Sequence, residues 1–116
     1  VWRINWSMHA CPDLNLAPKH GAYQDAQKLL VTAQNAGERC FYRVERQTLS
    51  KLPRSNAVLF GIHSYLASVG ELSANPVWAQ RMLGILRTSP PSFIRYKGLL
   101  SYLEPLTTYL QARAMA

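Results

Sequence analysis

Two stretches decide the fold: residues 38–49, ERCFYRVERQTL, and residues 57–66, AVLFGIHSYL. Both are rich in aromatic and β-branched residues, which favour strands. The residues between them, SKLPRSN, include Pro53 and are typical of a turn. The two stretches therefore predict an antiparallel hairpin.

The first strand carries polar groups on both faces, which is unusual for a central strand because burying polar groups costs free energy. Alternation puts Arg43, Glu45 and Gln47 on one face and Arg46 on the other. We expect the row Arg43, Glu45, Gln47 to border a cavity, where it could orient a carboxylate ligand or a buried water. The alternative is a salt-bridge ladder on a solvated face.

The second strand places a histidine beside a glycine. His63 shares a face with Leu59, Gly61 and Tyr65, while Val58, Phe60, Ile62 and Ser64 share the other. Gly61 within a strand indicates a bulge or the close approach of a ligand or backbone. His63 is a candidate metal ligand, haem ligand or proton carrier, and a hydrogen-bonded structural histidine is the alternative.

The segment before the hairpin predicts a strand, a loop and a helix. Residues 2–9, WRINWSMH, alternate and indicate a half-buried strand. Residues 12–22 contain two prolines and a glycine and predict a loop. Residues 23–36 favour a helix with one apolar face and with Gly37 as its C-cap. That face comprises Ala26, Leu29, Leu30 and Ala33.

The segment after the hairpin predicts helices. Asn75 before Pro76 is typical of a helix start, and Thr88-Ser89-Pro90-Pro91 ends that helix after about Arg87. A last helical pattern spans residues 99–114, and Pro105 either kinks it or begins a second helix. Their predicted core residues are Val77, Met82, Leu83, Leu86, Leu99, Leu103, Leu106 and Leu110.

These elements predict an α+β fold, with an antiparallel sheet and helices gathered at the C-terminal end. Three strands make a thin sheet. The chain also begins with Val1 rather than Met. We therefore expect residues 1–116 to be a single domain or the C-terminal portion of a larger domain.

Charge and motifs exclude several function classes. Thirteen Lys+Arg against six Asp+Glu give a net charge of +7, which favours anionic partners, yet no nucleic-acid reading motif occurs. The sequence has no nucleophile elbow, no phosphate-binding glycine loop, no zinc-ligand spacing and no apolar run that could span a membrane. Cys11 and Cys40 have no signal peptide to favour a disulfide, so we expect free thiols and a cytoplasmic protein.

Four blocks, in this order, resemble one family, and the second is the most specific. They are Arg3-Ile4-Asn5-Trp6-Ser7, Arg43-Val44-Glu45-Arg46-Gln47-Thr48-Leu49 with Leu52-Pro53, Val58-Leu59-Phe60-Gly61-Ile62, and Tyr96-Lys97-Gly98. Together they resemble the C-terminal half of the haem-dependent oxidative N-demethylase family.

The resemblance implies a haem-binding domain with a PAS-like antiparallel sheet, which removes methyl groups from small amines using O₂ and electrons from a reductase. It implies that Arg43, Glu45, Arg46, Gln47 and His63 form or support the cofactor site, with arginines at the haem propionates. The family pattern tends to have Arg at position 63. The resemblance also implies a histidine-bearing segment near the haem in the N-terminal half of the family, and no part of this sequence corresponds to it, so another segment or subunit would supply it.

A function of another class is also compatible with the sequence. A PAS-like sensor or interaction module would use the same sheet without catalysis, through an open edge that pairs with a partner. Haem absorbance would favour the enzyme, and colourless protein that binds a second polypeptide would favour the module. Anion or nucleic-acid binding is a third hypothesis, and it predicts an affinity that falls steeply with salt.

Overall fold

A computed structural model describes residues 1–13 and 21–115. These residues form a three-stranded antiparallel sheet of β1 (Trp2–His9), β2 (Phe41–Lys51) and β3 (Val58–Ser68), in the order β1-β2-β3. Together with the helices below, the sheet confirms the predicted α+β class. The hairpin and the first strand are also confirmed.

The helices gather mainly in the C-terminal half, as predicted. They are α1 (Gly21–Lys28), α2 (Ala36–Arg39), α3 (Val69–Ser73), α4 (Pro76–Thr88), α5 (Pro91–Tyr96) and α6 (Leu103–Ala114), with a short 3-10 helix at Leu100–Tyr102 before α6. Asn75 caps α4 by accepting a hydrogen bond from the Val77 N–H at 3.0 Å. Pro105 falls in the first turn of α6, so it begins a helix rather than kinking one.

The prediction of one helix over residues 23–36 is wrong. α1 ends at Lys28, and Leu29, which was placed on its apolar face, is 75% exposed. A local polar turn replaces the helix: Thr32 N–H donates to Asn35 Oδ1 at 2.7 Å, and Asn35 N–H donates to Thr32 Oγ1 at 3.2 Å. Such side-chain bonds compete with the helical ladder. The predicted loop over residues 12–22 lies mostly outside the described residues.

The boundary between this turn and β2 also differs from the prediction. β2 begins at Phe41 rather than at residue 38, because Gly37 lies within α2 instead of capping a longer helix. The α2 backbone approaches α3, a helix the sequence did not reveal, at Gly37 and Gly70. A Cβ on Gly70 would lie 2.9 Å from the Gly37 carbonyl oxygen. The two glycines therefore allow the two helices to meet backbone to backbone.

The core lies between one end of the sheet and the C-terminal helices. The predicted core leucines are buried there except Leu103, which is half-buried against the core. Val77 is exposed, and Ala79 takes its place on α4. Trp6 stacks on Tyr42, which meets Trp78 of α4 edge to face at 5.6 Å between ring centroids. Cys40 is a buried free thiol, as predicted, and Cys11 is also free and buried. Burial raises the pKa of Cys40 to about 12.

The outer edge of β1 is closed near the core. Lys97 donates from Nζ to the Trp6 carbonyl oxygen at 2.5 Å, and the ammonium lies 4.8 Å from the centroid of the Trp6 ring. Tyr102 is fully buried and donates its hydroxyl to the Met8 carbonyl oxygen at 3.0 Å. Burial raises the pKa of Tyr102, so this hydroxyl remains a donor at any physiological pH.

The other end of the sheet extends beyond the helices. We call this part the distal sheet, and it comprises residues 1–4, 46–51 and 58–65. It makes the molecule long, at 54 × 32 × 26 Å, with a radius of gyration of 16.1 Å. A compact chain of this length would have a radius near 13 Å. Much of its apolar surface faces water, including Trp2, Ile4, Val58, Leu59, Phe60, Ile62 and Tyr65.

Candidate functional site

The sheet divides the predicted site residues between its two faces. Arg43, Glu45 and Gln47 lie on one face, called here the Arg43 face. Arg46 and His63 lie on the other, the Arg46 face, where they are direct cross-strand partners. The structure therefore forms two candidate sites, one on each side of β2.

On the Arg43 face, the row is paired and largely shielded from water. Arg43 Nε lies 4.0 Å from Glu45 Oε1, and Arg43 Nη2 donates to Ser64 Oγ at 3.1 Å. Arg3 Nε donates to Gln47 Oε1 at 2.5 Å, and Gln47 is only 8% exposed. These contacts hold β2 to both of its neighbours. Beside Gln47 is a hollow of about 250 Å³, lined by Val1, Trp2, Arg3, Leu49 and Phe60.

His9 also lies on the Arg43 face, a placement that depends on the β1–β2 register and that the sequence did not suggest. Its Nε2 lies 2.7 Å from Ser7 Oγ, within hydrogen-bond distance. Burial, followed by the positive charges of Arg43 and Lys28, lowers the pKa of His9 from 6.5 to about 4. The imidazole is therefore neutral at physiological pH and acts as a polar link in this face rather than as a charge.

The shift of the His9 pKa predicts acid destabilisation. Between pH 6.5 and about 4 the unfolded chain binds a proton at His9 that the folded chain does not, so the free energy of unfolding falls as the pH falls through this window. We expect His9 to account for about 1–2 kcal/mol of this loss in the free energy of unfolding, because solvent screening reduces the full effect of the pKa shift. Urea unfolding of the wild type and His9→Gln at pH 7.5 and pH 4.5 measures it. Equal losses in both proteins would contradict the assignment.

On the Arg46 face, Arg46 and His63 border an open hollow of about 500 Å³. The His63 and Tyr65 rings are 4.6 Å apart between centroids, and the Arg46 guanidinium lies 5.7 Å from the centroid of the Trp2 ring. Gly61 forms part of the floor, where a Cβ would lie 2.6 Å from Thr48 Oγ1. The glycine therefore makes room for the Thr48 hydroxyl, and both residues line the hollow.

The chemistry of the two faces differs. The Arg46 face presents two basic side chains to an open, partly apolar hollow, which suits a planar ligand with carboxylates. On the Arg43 face, the polar side chains pair with one another across the strands of the sheet. Within residues 1–13 and 21–115, no group of three or more His, Cys, Asp or Glu side chains could hold a metal ion.

A comparison with protein-family models places these residues in a known family. The model described as haem-dependent oxidative N-demethylase, alpha subunit-like, matches residues 1–107 of this chain. The matched range contains all three strands and every candidate site residue on both faces. Over the described residues, no helix has the length and apolar character needed to span a membrane.

Proposed function

Because the match shows that the chain belongs to the haem-dependent oxidative N-demethylase, alpha subunit-like family, we propose that it is part of an enzyme that oxidatively demethylates small amines. In this reaction O₂ and a pair of electrons from a reductase, with a pair of protons, convert an N-methyl amine into the N–H amine, formaldehyde and water. Haem supplies the oxygen chemistry when it is bound. The chain supplies a PAS-like sheet on which the cofactor rests.

We assign the cofactor contact to the Arg46 face. A haem carries two propionate groups, and Arg46 and His63 offer N–H donors to both from adjacent strands. Cross-strand partners have Cβ atoms about 5 Å apart, so one flat ligand can reach both side chains. Charge-assisted bonds from a guanidinium to a carboxylate are among the strongest in proteins. This cross-strand pairing of Arg46 with His63 at the edge of an open hollow is the observation that supports the proposal.

The apolar part of the same face fits the rest of the ring. Tyr65 lines the hollow directly, and Trp2 and Ile4 continue the face across β1, each with more than half of its surface exposed. Covering these side chains with an aromatic macrocycle would remove apolar surface from water, which is favourable by about 25 cal/mol per Å². Any further contacts that the cofactor needs would come, in this proposal, from another segment or subunit.

In this proposal the polar row on the Arg43 face supports β2, the strand that carries Arg46. Its ion pair and hydrogen bonds hold β2 between β1 and β3, and this fixes the direction in which Arg46 projects on the opposite face. Arg43, Glu45 and Gln47 are therefore positioning residues, and none of them touches the cofactor in this proposal. The words alpha subunit in the family description favour further subunits as partners. A small amine and a reductase are the other partners in this proposal.

Haemin titration of the purified chain, followed by absorbance, tests the cofactor assignment. We expect a saturable change in the Soret band that reaches one haem per chain. Haemin dimethyl ester is the matched control, because its esterified propionates carry no negative charge for Arg46 and His63 to bind. Equal affinity for acid and ester would contradict the assignment. A chain that stays colourless would contradict haem binding and favour a non-catalytic interaction module.

A further inference from the structure

The Arg46 face contains a third polar side chain close to its two basic ones. Thr48 lies two positions after Arg46 on β2, so both side chains project from the same face, about 7 Å apart along the strand. Thr48 is half-buried, and it lines the same hollow as Arg46 and His63. Its hydroxyl is therefore within reach of a ligand that these two residues bind.

The Arg46 guanidinium lies toward the Thr48 row of the sheet. The direct partner of Arg46 on β1 is Ile4, whereas Trp2 is the direct partner of Thr48. The guanidinium nevertheless lies 5.7 Å from the centroid of the Trp2 ring, which is within the range of a cation–π contact. The positive charge is therefore held between its own row and the row that contains Thr48.

The Thr48 hydroxyl occupies space that exists because position 61 is a glycine. Gly61 is the direct partner of Thr48 on β3, and a Cβ at this position would lie 2.6 Å from Thr48 Oγ1. Such a distance is too short for a real contact, so a larger residue at position 61 would displace the hydroxyl. Thr48 Oγ1 therefore lies on the β3 side of its strand, and the guanidinium lies on the β1 side.

His63 is directed away from the Thr48 row. The centroid of its ring lies 4.6 Å from that of the Tyr65 ring. Tyr65 and Gly61 are two positions from His63 in opposite directions along β3, so the imidazole lies toward Tyr65 rather than toward Gly61. The two basic groups therefore offer two separate places for a negative charge, and Thr48 lies beside the one at Arg46.

We propose that Thr48 binds the same carboxylate as Arg46, and that Trp2 is the positioning residue that holds the guanidinium beside this carboxylate. The proposal deepens the cofactor contact on the Arg46 face and rests on it. One carboxylate oxygen accepts a hydrogen bond from the Thr48 hydroxyl, and the other accepts from the guanidinium. Contact with the Trp2 ring restricts the guanidinium before the ligand arrives, which reduces the freedom lost on binding. His63 binds the second carboxylate.

Absorbance titration of the whole chain with haemin, in double-mutant cycles, tests the shared carboxylate. Thr48→Val keeps the branched shape and removes the hydroxyl, so we expect it to raise the haemin dissociation constant at least about fivefold. Thr48→Ser keeps the hydroxyl and should stay within about twofold of the wild type. In the Arg46→Ala background, Thr48→Val should change the constant by less than about twofold, because the carboxylate is no longer held there. In the His63→Ala background it should have its full effect.

Two further variants separate this contact from a general change of the face. Ser50→Ala is the matched control, because Ser50 is exposed, projects from the same face at the next position along β2 and lies outside the hollow. It should bind haemin as the wild type does. Trp2→Leu should weaken haemin binding more in the wild type than in the Arg46→Ala background, because part of its effect acts through the guanidinium. Trp2→Phe, which retains an aromatic ring, should restore most of the affinity.

The outcomes distinguish this proposal from the proposed function. A Thr48→Val variant that binds haemin like the wild type, or no more weakly than Ser50→Ala, would overturn the role of Thr48 and leave the contact at Arg46 and His63 in place. Equal effects of Thr48→Val in the Arg46→Ala and His63→Ala backgrounds would overturn the shared carboxylate. A wild-type chain that binds no haemin would overturn the proposed function and this proposal together. Urea unfolding checks that each variant is folded, and Thr48→Ala replaces Thr48→Val if the latter is not.

Discussion

Replacing both basic side chains of the Arg46 face, as Arg46→Ala with His63→Ala, is expected to lower haem affinity by about 100-fold or more. Each side chain donates to one propionate in the proposed complex, and a hydrogen bond to a charged group contributes about 1.5–3 kcal/mol. Two such losses correspond to at least about two powers of ten in the dissociation constant. Absorbance titration with haemin measures the change.

Two controls separate this effect from a general loss of structure. Arg54→Ala removes an exposed arginine from the hairpin turn, and His9→Gln removes a histidine from the opposite face. Both should bind haemin with the affinity of the wild type. The double variant should also bind the dimethyl ester as the wild type does, because the ester offers no carboxylate to lose. If variants on the Arg43 face weaken haemin binding and the double variant does not, the cofactor lies on the other side of the sheet.

Gly70→Ala should destabilise the fold by about 1–3 kcal/mol, the usual range for overpacking. The new Cβ would lie 2.9 Å from the Gly37 carbonyl oxygen and 3.5 Å from the Gly37 Cα, so backbone rather than a flexible side chain would have to move. Gly37→Ala should act in the same direction, because its Cβ would meet the hydroxyl end of the Tyr109 side chain. Urea unfolding followed by circular dichroism gives both values.

Gly84→Ala is the matched control, and its expected effect has the opposite sign. Gly84 lies within α4, is exposed, and has no atom within 4 Å of an added Cβ. Alanine in a helix interior is more favourable than glycine by about 0.5–1 kcal/mol. A Gly70→Ala variant as stable as Gly84→Ala would show that α2 and α3 can separate at no cost.

Local patterns in the sequence were enough to predict the strands and the best-capped helix. The alternation in WRINWSMH and across the hairpin gave the faces of Arg43, Arg46 and His63, because side-chain direction in a strand depends only on the parity of the position. Asn75-Pro76 predicted the start of α4, because both the cap and the missing N–H are local features.

The features that the sequence could not predict depend on tertiary contacts. The placement of Arg3 beside Gln47, and of His9 on the polar face, requires the β1–β2 register, which no pattern within either strand fixes. The end of α1 depends on the paired bonds between Thr32 and Asn35, while the helical composition of residues 23–36 favours a longer helix. Gly37 was a reasonable cap by composition, but its closeness to Gly70 arises only when α2 and α3 pack.

The separation of the strands along the chain implies an order of assembly. β2 and β3 are joined by residues 52–57 alone, so the hairpin can form with a small loss of loop entropy. β1 reaches β2 across residues 10–40, a connection about five times longer, and docking it closes a larger loop. During folding the hairpin should therefore form early, and β1 with the Lys97 and Tyr102 contacts should join it late.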